Sequence, residues 1–285
     1  MTENKSWWSN LILAPKNGTI RFPFMQIVFG PYMLFIDKFK VFAYIGGAYA
    51  LLISLIYVLG GQSLFCSYKN FAASQMCAYD SFLSIGSRLI VFAIISCYCV
   101  RYFKAVWMQQ PLAFRAMFAP QKTDLYSLAA LALLMLLNAI AMLSWYLLSI
   151  REPNPDWRIE LTYFGIVATG FLVPFVLLRF YCVLAYVWQG EKLPSLWQIW
   201  QVTRGNNLRL LIAVALCFLL VLFGLSAILK NLNFMVESGS FCAVLAGEFI
   251  YNAAELVLIS CFVNFCGIQK FFLTERNKDE KNNLD

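Results

Sequence analysis

The chain contains no histidine and few charged residues. Of its 285 residues, 13% are charged and 61% are hydrophobic, whereas soluble domains carry about 25% charged and about 45–50% apolar residues. Without histidine, the chain lacks the side chain that most often serves as an acid, a base or a metal ligand near neutral pH. Serine–histidine and cysteine–histidine catalysis is therefore excluded within this chain, and we predict no cofactor.

A metal site would have to be built from the nine cysteines or from carboxylates. Cys97 and Cys99 form a C-x-C pair inside an apolar stretch, but no second close pair completes a tetrahedral zinc set. We therefore predict no metal site, and we interpret most cysteines as small packing residues.

The apolar residues are concentrated in six long stretches. Each stretch is about as long as the roughly 20 residues that a helix needs to cross a bilayer. No linker rich in proline, glycine or serine divides the chain. The sequence thus predicts an all-α, polytopic transmembrane bundle forming a single membrane domain over residues 1–285, with about six spans at roughly 41–60, 81–100, 125–149, 161–188, 208–229 and 242–268.

The positive charges predict an orientation. The net charge of +7 does not come from a basic patch, so we predict no nucleic-acid partner. Sixteen of the 22 lysines and arginines fall on one side of the predicted spans, four fall on the other side, and two lie within spans. The side rich in lysine and arginine faces the cytoplasm in most membrane proteins. Both termini are therefore predicted to be cytoplasmic, with membrane lipid as the expected partner.

Two further segments are predicted to be interfacial helices on the cytoplasmic face. Residues 22–36 are apolar, but they are too short for a span and are interrupted by Pro23 and Pro31. A short, broken span is the alternative. Residues 194–203 place Trp197 and Trp200 at helical spacing, with glutamines turned away from them. Tryptophan favours the headgroup level of a membrane, which fits an amphipathic helix at the inner surface.

The predicted topology places Cys66 and Cys77 in the first external loop. If that side is oxidising, the two thiols could form a disulfide that closes a short loop. Two free thiols are the alternative.

Ionisable groups within spans are costly in hydrocarbon, so they usually face the bundle interior or a watery cavity. Glu248, Asn252 and Glu255 follow spacings of four and three, which places them on one helical face. Arg88 in the second span lies at a similar depth, so we predict an Arg88–carboxylate pair. The next position on that face is Ile259, which ends the predicted polar stripe.

This polar set has two interpretations. It could be a site for an ion, a proton or an anionic substrate, or it could be an ion pair that locks the bundle together. The favoured function is accordingly a non-enzymatic structural, lipid-interacting or assembly role. A transporter or channel built on this site is the alternative, and a membrane-embedded enzyme acting on lipids is a weaker one.

One stretch resembles a known family. The sequence WQVTRGN at 200–206, preceded by an arginine-ended apolar segment, resembles a W-x-x-T-x-G-N turn in YciC-like bacterial membrane proteins and in the related membrane domain of glycerophosphodiester phosphodiesterases. The residues that carry the resemblance are Arg179, Trp200, Thr203, Arg204, Gly205 and Asn206. The resemblance implies a six-helix protein of the bacterial inner membrane, and it implies no reaction.

Overall fold

The computed structural model describes residues 24–59, 81–150, 180–203 and 241–282, together with a few single positions between 157 and 228. The secondary structure of these residues is helical, without strands, as the sequence predicts. The helices described are α1 (Phe24–Asp37), α2 (Phe39–Leu59), α3 (Ser81–Trp107), α4 (Phe114–Phe118), α5 (Lys122–Ile150), α6 (Cys182–Gln189), α7 (Leu196–Thr203) and α8 (Phe241–Asn282).

Three of the described helical segments are long and apolar enough to cross a membrane. They are Phe39–Leu59, Gly86–Trp107 and Phe241–Phe272, and they correspond to the first, second and sixth predicted spans. The chain is therefore a membrane protein with apolar helices of spanning length. The third predicted span lies within α5. Most of the fourth and fifth predicted spans lies outside the described residues, so the number six stays a prediction.

Two helices continue past the charged residues that were predicted to end their spans. Helix α3 passes Arg101 and ends at Trp107, and α8 passes Lys270 and ends at Asn282. Both side chains are buried, with Arg101 only 1% exposed. A charged residue marks the end of a span when its charge must be hydrated. The charges of Arg101 and Lys270 are instead paired with groups of the protein.

The segment predicted as a surface helix at 22–36 is helical, as α1. It packs along α8, and Ile27 and Val28 are buried in that contact. Pro31 lies inside the helix. A turn at Lys38 separates α1 from α2. The position of α1 on the cytoplasmic face of the membrane, with a short, broken span as the alternative, stays a prediction.

The helix predicted at the inner surface, α7, begins at Leu196, two residues after the predicted start at 194. Ser195 Oγ accepts a hydrogen bond from Gln198 N (3.2 Å), and Gln198 Oε1 accepts one from Ser195 N (3.1 Å). This reciprocal capping box makes Ser195 the N-cap, directly before the first helical residue. Pro194 therefore precedes the cap and is not part of the first helical turn.

The described helices are organised around α8. This helix packs most extensively against α2 and α1, and also against α6 and α3. Large aromatic side chains fill the centre: Tyr49 and Tyr98 meet with ring centroids 5.7 Å apart, and Tyr98 stacks on Tyr102 at the same distance. At one end of the core, Trp188 of α6 packs against Phe103 and donates its indole N–H to Ser127 Oγ (2.9 Å).

Gly267 of α8 lies in close contact with Trp107, the last residue of α3. A Cβ atom at this position would lie 2.3 Å from Trp107 Cε2 and 2.5 Å from Cζ2. The indole ring is rigid, so either the whole Trp107 side chain or α3 would have to shift to make room. The absence of a side chain at Gly267 thus allows this ring to pack directly against α8.

We expect Gly267→Ala to destabilise the protein by about 1–3 kcal/mol, because overpacking a close contact forces side chains off their rotamers or shifts the backbone. The measurement is thermal or denaturant unfolding of the purified protein in detergent. Gly47→Ala is the matched control, since nothing lies within 4 Å of a Cβ at that position in α2. Equal stability of the two variants would contradict the close contact.

Candidate intramembrane polar site

One face of α8 carries polar side chains into the centre of the bundle. Glu248, Asn252, Ser260 and Asn264 are all buried, with exposures of 0 to 1%. They follow one another at intervals of four residues, with only Leu256 between the two pairs. Each step of four advances about 40° around the helix, so the row winds from the side that meets α2 to the side that meets α3 and α1. The four side chains form what we call the polar face of α8.

The first half of the polar face meets α2 at Ser54. Asn252 Nδ2 donates hydrogen bonds to Ser54 Oγ (3.0 Å) and to Glu248 O (2.8 Å). Ser54 Oγ in turn donates to Ala50 O (2.6 Å). Both amide hydrogens of Asn252 are thus used, one to hold α2 and α8 together and one within α8.

Tyr57 of α2 lies half-buried beside this contact. Its hydroxyl is within electrostatic range of Glu248, Glu255 and Arg88. Glu255 itself is half-buried and within electrostatic range of Glu248. The structure therefore brings the four predicted site residues into one region between α2, α3 and α8.

The predicted Arg88–carboxylate pair is not formed among the described residues. Their ion pairs are Lys38–Asp37, Arg101–Asp124 and Lys270–Glu191. Arg88 is exposed on α3, whereas Glu248 is fully buried on α8.

The second half of the polar face was missed by the sequence analysis. Ser260 Oγ donates to Leu256 O (2.7 Å), and the Tyr98 hydroxyl bonds to Ser260 Oγ. Asn264 Nδ2 lies 3.3 Å both from Tyr102 Oη and from Pro31 O, and donates to each. Ser260 lies about 140° around the helix from Glu255, at 3.6 residues per turn. Ser260 and Asn264 therefore extend the polar row on another side of α8 and link it to α3 and α1.

A second buried polar cluster lies at the junction of α3, α4 and α5. Arg101 pairs with Asp124 and donates from Nε to Met117 O (2.8 Å) and from Nη2 to Ala119 O. The Tyr49 hydroxyl donates to the same Met117 carbonyl (2.6 Å). One guanidinium thus satisfies carbonyls at the end of a five-residue helix and a carboxylate at the start of α5.

The buried lysine near the end of the sixth predicted span has an equivalent role. Lys270 Nζ donates to Glu191 Oε2 (2.6 Å) and to Gln189 Oε1, and lies 4.5 Å from the centre of the Tyr186 ring. These contacts tie α8 to the end of α6. If Arg101 and Lys270 are set aside as structural charges, fourteen positive residues remain on the predicted cytoplasmic side against four opposite, so the predicted asymmetry is preserved.

Several predicted residues lie outside the described part of the chain. These are the possible disulfide partners Cys66 and Cys77 and, from the family-like turn, Arg179, Arg204, Gly205 and Asn206. Thr203 is the last residue of α7, and Trp200 is exposed on it. Among the described residues, no group of three or more cysteines or carboxylates could hold a metal ion.

The first half of the polar face, together with the nearby Glu255, Ser54 and Tyr57, brings acids, an amide and hydroxyls into one region between helices. Such oxygen atoms can hold a proton or a small cation, or they can join helices through hydrogen bonds. In the second half of the polar face, the side chains of Ser260 and Asn264 are occupied by interhelical hydrogen bonds. The two halves of α8 thus differ in what they can do chemically.

The chain matches no protein-family model, and comparisons with curated proteins and with solved structures found no significant match. The resemblance of residues 200–206 to YciC-like proteins therefore stays a prediction.

Arg101→Gln or Asp124→Asn should destabilise the protein by about 3–5 kcal/mol, because each leaves a buried, uncompensated charge. The measurement is unfolding in detergent followed by circular dichroism. Asp37→Asn is the control, since it breaks the exposed Lys38–Asp37 pair (3.4 Å), and such surface pairs contribute about 0–1 kcal/mol. If Arg101→Gln unfolds no more readily than Asp37→Asn, the buried pair does not hold α4 and α5 in place.

Proposed function

We propose that this chain is a non-enzymatic, lipid-interacting scaffold of the cell membrane. The bundle holds helices together through buried polar contacts and presents α7 to the lipid headgroups. Under this proposal both termini are cytoplasmic, as the lysine and arginine asymmetry favours, and the membrane is the bacterial inner membrane, as the resemblance favours.

The observation that carries the proposal is the two-sided packing of α7. Ile199 is buried, at 1% exposure, and packs with Cys182 of α6. The neighbouring Leu196 and Trp197 are 65% and 66% exposed, and Trp200 is 42% exposed. Large apolar side chains with a polar edge are stable at the headgroup boundary, where the indole ring can be apolar on one side and hydrated on the other.

The hydrogen bonding of α8 supports the scaffold role. Ser260 and Asn264 bond to tyrosine hydroxyls of α3, and Lys270 bonds to the end of α6. Polar side chains used in this way join transmembrane helices where the hydrophobic effect cannot. The order of these contacts along α8 therefore fixes the register of α8 against the neighbouring helices.

The lipid contact is tested with single cysteines on α7. In sealed inside-out vesicles, a membrane-impermeant maleimide should label Gln198→Cys several times faster than Trp197→Cys, because position 197 faces the headgroup boundary and position 198 faces water. Peptide mass spectrometry identifies the labelled residue, so the native cysteines need not be removed.

Gln198→Cys keeps the hydrogen bond from the backbone N–H of residue 198 to Ser195 Oγ. It loses only the one that Gln198 Oε1 accepts from Ser195 N, at an exposed position. Equal labelling rates at the two positions would contradict the lipid contact. Faster labelling of Gln198→Cys in right-side-out vesicles would contradict the proposed orientation.

A transporter or channel is the second candidate, and one observation favours it: Glu248, Glu255 and the Tyr57 hydroxyl lie within electrostatic range of one another between helices. A transporter should dissipate an imposed proton or monovalent-cation gradient in sealed vesicles, and Glu255→Gln should abolish that flux. A scaffold should leave the leak rate at that of protein-free vesicles. Glu160→Gln, at an exposed position, is the matched control.

A further inference from the structure

Asn252, in the first half of the polar face, carries a buried hydrogen-bond acceptor that has no donor among the described residues. Asn252 is 1% exposed, and its Nδ2 group is engaged by Ser54 Oγ and Glu248 O. Its Oδ1 atom accepts no hydrogen bond from the described part of the chain. Buried acceptors in native structures are nearly always satisfied, so an orphaned one indicates a donor or a cation at that point.

The neighbouring hydroxyl cannot be that donor. Ser54 carries a single hydroxyl hydrogen, and it is directed to Ala50 O (2.6 Å). Glu255, three residues beyond Asn252, shares its side of the helix. An ionised carboxylate has no hydrogen to give, but a protonated carboxyl group has one.

We infer that Glu255 binds a proton in the resting protein and donates it to Asn252 Oδ1, so that the two side chains form an intramembrane proton-binding site. The inference goes beyond the scaffold role and does not depend on it. The site consists of the Glu255 carboxyl group and the Asn252 amide, which are three residues apart on α8.

The surrounding groups agree with this assignment. Glu255 is half-buried, and the described salt bridges do not include it. The titratable groups around it are Tyr57 of α2, Glu248 and Tyr251 of α8, and the more remote Arg88 of α3, which is exposed. Two neighbouring carboxyl groups in a region of low dielectric constant resist becoming ionised together. A proton on Glu255 leaves at most one charged carboxyl group in this region.

The experiment is infrared difference spectroscopy of the full-length protein reconstituted in vesicles at neutral pH. A protonated carboxyl group has a C=O stretching band that is separate from the carboxylate bands. We expect the band in the wild type, its loss in Glu255→Gln and its retention in Glu248→Gln. In Asn252→Ala the band should move to higher wavenumber, because the carboxyl group has lost its hydrogen-bond acceptor.

Each other outcome overturns the assignment. Absence of the band in the wild type at neutral pH means that Glu255 is ionised. Loss of the band in Glu248→Gln but not in Glu255→Gln places the proton on Glu248. An unshifted band in Asn252→Ala means that the proton is not shared with the amide. Loss of the band on adding sodium at constant pH would identify a metal-cation site.

Folding is controlled separately. Gln is close in shape to a protonated Glu, so Glu255→Gln should fold, and circular dichroism checks this. If it does not fold, Glu255→Asp provides the same assignment, since the carboxyl group remains and its band changes frequency. A band unchanged in Glu255→Asp would then overturn the inference.

Discussion

The described bundle depends on a requirement that hydrocarbon imposes on α8: every polar group that the helix carries inward must find a partner in protein. In water, an unsatisfied amide or hydroxyl is solvated at little cost, but within a membrane the same group costs several kcal/mol. The amide nitrogen of Asn252, the hydroxyl of Ser260 and the amide nitrogen of Asn264 find such partners on α2, α3 and α1 in turn. The amide oxygens of the two asparagines accept no hydrogen bond among the described residues. Each contact fixes one neighbouring helix at one level of α8, so the polar face determines both which helices pack together and in what register.

Apolar packing alone would not produce such specificity, because lipid tails are as apolar as leucine. The aromatic centre formed by Tyr49, Tyr98 and Tyr102 combines the two kinds of contact. Its rings fill the space between helices, and its hydroxyls reach a backbone carbonyl, Ser260 and Asn264. Tyrosine can do this because an apolar ring and a polar tip are joined in one rigid side chain.

The long apolar helices were predictable from the sequence, because hydropathy over about 20 residues is a strong signal. The break at Lys38 and the shared side of Glu248 and Asn252 were also predictable, because they depend on local sequence. The continuation of the polar face was missed, since steps of four from Glu255 lead to Ile259, whereas steps of four from Asn252 lead through Leu256 to Ser260. Which of these two rows of residues is buried depends on where the neighbouring helices lie. The spacing of residues along the sequence does not give that information.

The burial of Arg101 could not be predicted for a similar reason. A positive charge after an apolar stretch is typical of the end of a span, and nothing beside it in sequence suggests otherwise. Its partners are the carbonyls of Met117 and Ala119 and the carboxylate of Asp124, which lie 16 to 23 residues farther along the chain. They reach the guanidinium only after α4 has folded back. Tertiary structure thus gives Arg101 a role that its sequence position does not indicate.

The length of α8 has a mechanical consequence. Its 42 residues form one uninterrupted helix, about 63 Å long at 1.5 Å per residue, which is about twice the thickness of the hydrocarbon core. A rod of this length acts as a lever, so that a change in tilt of a few degrees moves its far end by several ångströms. The contacts at Asn252 and the position of the helix end near Asn282 are therefore geometrically linked. A small rotation of α8 about Asn252 would move the end near Asn282 by a larger distance.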